Sequence, residues 1–126
     1  MTGLCLAAAA LSLSLPLQHF TLAWTHSIEK IRWEEDYRVS AAGLELAEAR
    51  IRGSGAGMEP PQGALLKDGV WHYRPALRPL PALTLNRSGF VADYEICGGG
   101  RCRPLAELLG PEAAAPVVTL APCAAR

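Results

Sequence analysis

Residues 20–39 read FTLAWTHSIEKIRWEEDYRV, and the order of side chains along them decides the fold. Phe20, Leu22, Trp24, His26 and Ile28 fall on one parity, and Thr21, Ala23, Thr25 and Ser27 on the other. Successive residues of a strand point to opposite faces, so the first set predicts a half-buried strand. Ile31, Trp33, Glu35, Tyr37 and Val39 repeat the pattern on a second strand, and residues 29–32 supply the turn between the two.

The same reading extends outward. LELAEARI at 44–51 contains good helix formers, but glycines at 53, 55 and 57 follow it directly and its neighbours are strands, so we assign a strand. VWHYR at 70–74 and ALTL at 82–85 are short strands, separated by an extended linker, PALRPLP. Phe90, Ala92, Tyr94 and Ile96 alternate with Val91, Asp93, Glu95 and Cys97 on another, and PVVTLAP at 116–122 is the last. Pro104 opens a short helix that Gly110 closes, near residues 104–110. The expected fold is all-β: a small antiparallel sandwich or partly open barrel of about seven strands with one short helix.

A chain of 126 residues supports one domain. Twelve Lys plus Arg balance twelve Asp plus Glu, so no overall field draws the protein to nucleic acid. The first seventeen residues, MTGLCLAAAALSLSLPL, carry no charge. Their apolar run has the length of a signal-peptide core and is short for a membrane span. We therefore expect residues 1–18 to be a signal peptide or short membrane anchor, residues 19–126 to be a single β domain, and the protein to be periplasmic or otherwise extracytoplasmic. A buried N-terminal strand or helix in a cytoplasmic protein is the competing reading. Cys97 and Cys102 flank Gly98-Gly99-Gly100-Arg101, so a hairpin with a four-residue loop sets them opposite one another as a disulfide candidate. Cys5 lies in the expected signal, and Cys123 pairs with Cys97 or Cys102 on the alternative connectivities, which spacing does not decide.

Parity also nominates a site. On the inward face of three neighbouring strands, polar residues replace apolar ones: His26 after Trp24, Glu35 between Trp33 and Tyr37, and Glu48 and Arg50 after Leu44 and Leu46. These converge at one mouth of the barrel if alternation is unbroken, whereas a bulge turns some of them outward. Trp24 and Trp33 supply contact area, and His26, Arg50 and Arg52 supply groups that orient a carboxylate. GSGAGMEPP at 53–61 lacks the helix that a dinucleotide fingerprint requires, but Ser54 and Gly55 lie where backbone N–H groups form a small anion nest. Glu29 and the acids at 34–36 give a metal version of the site with His26, at a spacing that matches no established signature. Ser27 beside His26 points to the opposite face, and no G-x-S-x-G elbow is present, so we expect no enzyme and no cofactor.

With FTLAWTHSIEKIRWEEDYRV, EARIRGSGAGMEPP, WHYRP and CGGGRCRPL in place, the chain resembles a bacterial family of uncharacterised domains, DUF1850. The resemblance spans roughly Phe20 to Cys123, and it implies a small exported protein encoded beside a TRAP transporter of the TAXI type, which imports organic acids. It carries over no catalytic residues. The expectation is a non-enzymatic exported accessory or binding domain of a TRAP-TAXI uptake system, contacting the transporter's membrane subunit or its solute-binding protein. The alternative is an independent small-ligand or metal-binding protein that uses His26 and nearby carboxylates.

Overall fold

The computed structural model describes residues 2–25, 31–52, 62–88 and 92–124. Two antiparallel sheets face one another and do not close into a barrel, so the fold is a sandwich. The larger sheet is built from β3 (His19–Thr25), β4 (Arg32–Ser40), β5 (Gly43–Arg52), β6 (Leu65–Lys67), β7 (Val70–Tyr73), β9 (Glu95–Gly98) and β10 (Arg101–Pro104), in the order β10-β9-β3-β4-β5-β7-β6. The smaller contains β1 (Thr2–Ala8), β2 (Leu11–Leu15), β8 (Leu83–Asn86) and β11 (Val117–Ala124), in the order β2-β1-β11-β8. The helix α1 (Leu105–Leu109) follows β10, buries Leu105 and Leu109 four residues apart, and runs into one 3-10 turn at Gly110–Glu112.

The strands β3 and β4 are antiparallel neighbours and show the inward parity that alternation predicts, with Phe20 opposite Tyr37, Leu22 opposite Glu35 and Trp24 opposite Trp33. Eleven described strands stand where about seven are expected. Two of the additional ones come from the N-terminal apolar stretch, which we read as a signal peptide or anchor. In the structure, β1 is the second strand of the smaller sheet, paired with β11 from Thr2↔Ala124 to Ala7↔Thr119. Leu4 and Leu6 are fully buried there. An apolar run with leucines on one parity satisfies a leader and a core strand equally, and only the partner strand 118 residues away distinguishes them. Cleavage after residue 18 would remove both strands together with Cys5. Among the described residues, no helix is long and apolar enough to cross a membrane.

Both disulfides are set by strand register. Cys97 lies directly opposite Cys102, and the two are bonded; the loop between the strands is the two-residue Gly99-Gly100, not four residues. Both glycines have positive φ, the geometry that two-residue hairpins of this hand require. Asp68-Gly69 turns β6 into β7 in the same way. Cys5 pairs with Cys123, which corrects the expectation that Cys123 joins Cys97 or Cys102. The strand expected over 90–97 begins only at Glu95, because Asp93 is used otherwise. Its carboxylate accepts two hydrogen bonds from the Arg87 guanidinium at 3.0 Å and a third from the Ala106 N–H at 2.8 Å, tying the segment to the start of α1. Residues 89–91 lie outside the described part of this stretch.

Gly43 opens β5 at φ 134°, and a Cβ there would sit 2.4 Å from the carbonyl oxygen of Leu80. Leu44 and Leu80 exchange both backbone hydrogen bonds at 2.7 and 2.8 Å, so neither backbone can retreat without breaking them. Gly43→Ala is expected to cost about 2–4 kcal/mol in urea denaturation, from strain and the lost bridge together. A loss under 0.5 kcal/mol would show that the Leu80 segment yields freely.

Candidate functional site

The inner face of the larger sheet carries cross-strand rows. One row runs Ile96, Leu22, Glu35, Ala49, Tyr73 across β9, β3, β4, β5 and β7. The next runs Trp24, Trp33, Ile51, Trp71, and so holds all three tryptophans of the chain. The rings of Trp24 and Trp33 stack at 6.0 Å between centroids, and Tyr94 tilts against Trp24 at 5.9 Å. The main core lies to one side of this row, where Phe20, Leu22, Tyr37 and Leu44 pack with Leu4, Leu6, Val118 and Leu120 of the other sheet. Trp24 touches that core, while Trp33 and Trp71 stand outside it and all three tryptophans remain half-buried. The Trp33 Nε1 atom is buried and, among the described residues, has no hydrogen-bond partner.

Glu35 points to this inner face, as its parity predicts. It accepts a hydrogen bond from the Tyr37 hydroxyl at 2.9 Å. Burial pushes its carboxyl above the usual range and outweighs that hydrogen bond. Burial first, then the Glu35 charge, raises the Tyr37 phenol well above its ordinary value. Because the folded value of Glu35 exceeds its unfolded one, the native state holds the proton more tightly. The stability this contributes is fully present below the ordinary carboxyl range and is lost as pH rises through the folded value. In urea melts across pH 4 to 8, Glu35→Gln should therefore gain stability relative to wild type as pH rises. A difference that does not change with pH would place Glu35 in water.

Glu48 and Arg50 do not join Glu35. Between Asp36 and Tyr37 the β4–β5 register shifts: Asp36 faces Glu48, Tyr37 faces Leu46, and Ala47 is left over as a bulge. The extra residue reverses parity along β5, so Ala49 and Ile51 turn inward and Glu48, Arg50 and Arg52 turn outward. The single mouth expected for His26, Glu35, Glu48 and Arg50 is thus replaced by two faces, with Glu35 on one and the Glu48–Arg50 pair on the other. The apolar positions 44, 46, 49 and 51 already record the change of phase in LELAEARI.

On the outer face these charges form a continuous lattice. Arg50 grips Asp36 through both terminal nitrogens, at 2.5 and 2.7 Å, and also reaches Glu34 and Glu48, each at 3.2 Å. Glu34 is shared with Arg32 at 3.1 Å and Arg52 at 3.0 Å, and Arg32 continues to Glu95 at 2.8 Å. Thr21 donates to Asp36 at 2.6 Å, and His72 Nδ1 meets Glu48 at 2.9 Å. The Arg50 hydrogen bond chiefly holds Asp36 below the ordinary carboxylate range, and the His72 hydrogen bond chiefly does so for Glu48. For Glu34, burial pushes upward, but the hydrogen bonds from Arg32 and Arg50 prevail and the carboxyl is lowered. Arg50, which we expected to orient a ligand carboxylate, spends its guanidinium on carboxylates of the protein itself.

Among the expected site residues, Trp24, Trp33 and Glu35 are brought together on the inner face, and Glu48, Arg50 and Arg52 on the outer. His26, Glu29, Ser54 and Gly55 lie outside the described residues. Among the described residues, no three His, Cys, Asp or Glu side chains converge to hold a metal. Trp71 and Tyr73 are the residues our reading missed. VWHY places them on one parity, but only the pairing of β7 with β5 sets them beside Trp33 and Glu35.

The fold and its two contrasting faces define a small, disulfide-bonded β-sandwich domain. Residues 20–105, well over half of the chain, match the family described as Domain of unknown function (DUF1850), and the protein belongs to that family. No curated protein matches it, and no solved structure does.

Proposed function

We propose that the protein is a non-enzymatic extracytoplasmic binding domain that assists a TRAP-TAXI organic-acid uptake system by contact with its membrane subunit or its solute-binding protein. The observation that carries the binding role is the tryptophan row. Aromatic side chains dominate the energetics of protein interfaces because they offer large contact areas with few rotatable bonds. Here Trp24, Trp33 and Trp71 occupy one row of a rigid sheet, half-buried, at the margin of the main core. The transporter link rests on the family resemblance alone. Two disulfides among four cysteines support an oxidising compartment.

Affinity capture from native membranes with the full chain tests the reading. Wild-type protein should recover a TRAP-TAXI component, and Trp71→Ala, with its thermal melt first checked, should recover at least tenfold less. Capture without any transporter component, or undiminished capture by the variant, would overturn the proposal.

A further inference from the structure

The outer face of the larger sheet ends at its β6–β7 edge in a groove of about 610 Å³, lined by Glu48, Leu65, Lys67, His72 and Arg74, with Tyr73 of the inner row at its margin. Strand register puts these residues there together. His72 lies opposite Arg50 on β5 and Leu65 on β6, and Lys67 lies two residues beyond Leu65 on the same face. The groove therefore runs along the β6 edge, on the side of the sheet away from the tryptophan row.

Its charge is unbalanced. The acid among the residues named, Glu48, is partnered on its far side: it accepts from Arg50, which it shares with Asp36 and Glu34, at 3.2 Å and from His72 at 2.9 Å. Arg74 stands 3.7 Å from the same carboxylate with 82% of its side chain exposed, so most of its surface remains available. Lys67 adds a second cation. The Glu48 carboxylate accepts from His72 Nδ1–H, which fixes the ring plane and turns the imidazole toward the acid and not toward a ligand anion. A wall with two exposed cations, whose acid is hydrogen-bonded from behind by Arg50 and His72, concentrates small anions. Beside it, Leu65 is a large apolar side chain with 73% of its surface exposed. Oxygen-seeking groups on one side and a bare aliphatic surface on the other suit an anion with a short carbon chain.

We propose that this groove binds a small organic carboxylate, its oxygens held by Lys67 and Arg74 and its carbon chain lying against Leu65. The site does not depend on the proposed transporter contact, because it occupies the opposite face of the sheet, and each reading can fail without the other.

Amide NMR titration of the full chain, disulfides intact and ionic strength constant, tests the proposal with butyrate, acetate and inorganic phosphate as separate probes. Butyrate should produce saturable shifts centred on residues 65–74, with a dissociation constant on the order of millimolar. The double variant Lys67→Ala/Arg74→Ala should weaken it at least tenfold, and Leu65→Ser should abolish the preference for butyrate over acetate. All three side chains are largely solvent-facing, and an unchanged amide spectrum elsewhere establishes that the variants fold. No saturable shift, or equal affinity in the double variant, would overturn the site. Phosphate binding as tightly as butyrate would overturn its assignment to organic acids.

Discussion

A chain lacking residues 1–16 is expected not to fold. The deletion removes β1 and β2, half of the smaller sheet, and with them Leu4, Leu6, Ala8 and Leu15 of the core. Truncating one fully buried leucine to alanine costs about 2–5 kcal/mol, and a whole small domain is stable by only about 5–15 kcal/mol. Losing three buried leucines exhausts that margin before the exposed backbone of β11 is counted. The deletion also removes Cys5, whose bond to Cys123 spans 118 residues. In the chain-entropy view, a closed loop of that size contributes roughly 4–5 kcal/mol. Circular dichroism and amide NMR of the truncated protein should show an unfolded or aggregated chain. The milder variant Cys5→Ser should fold but melt well below wild type. A native, cooperative fold in the truncated chain would overturn this expectation, as would a folded protein isolated from cells with its N-terminus near residue 19.

The second large effect is expected at Arg50. Replacing it by alanine deprives Asp36, Glu34 and Glu48 of their shared guanidinium while leaving all three acids half-buried on one face. Breaking a fully buried ion pair from one side costs about 3–5 kcal/mol, and exposed pairs contribute about 0–1 kcal/mol. With 18% of the Arg50 side chain exposed, an intermediate loss of about 2–3 kcal/mol is expected at pH 7. Arg50→Lys should recover only part of this, since an ammonium cannot make the two-pronged contact with Asp36. The pH dependence has a definite sign. The carboxyls of Asp36, Glu48 and Glu34 are lowered in the folded state. Their stabilisation is therefore present above the ordinary carboxylate range and is lost as pH falls through their folded values. The gap between wild type and Arg50→Ala, measured by urea denaturation, should narrow as pH drops from 6 toward 2. A gap below 0.5 kcal/mol at pH 7 would show that the lattice is solvated surface.

These two expectations draw on different amounts of sequence information. The all-β class was legible because its central strands alternate: Phe20, Leu22 and Trp24, and Trp33, Glu35 and Tyr37, take the inward faces that parity predicts. The Cys97–Cys102 bond was legible as a candidate, since both partners lie within one hairpin, but spacing left Cys123 as a competing partner until the strand register was known. The face of Glu48 and Arg50 was not, because one unpaired residue, Ala47, reverses every side chain after it, and a bulge depends on how two strands settle against each other.

By itself the sequence determined the class of fold and the inward placement of Trp24, Trp33 and Glu35, because each follows from alternation over a few neighbouring residues, and it offered Cys97–Cys102 as one of several pairings. Only the tertiary structure decided that an uncharged N-terminal stretch is a core hairpin, that Cys5 meets Cys123, and that Trp71 completes a row begun on β3. Each of these depends on strands far apart in the chain becoming neighbours, and local periodicity reports which face a side chain takes but not which strand will lie beside it.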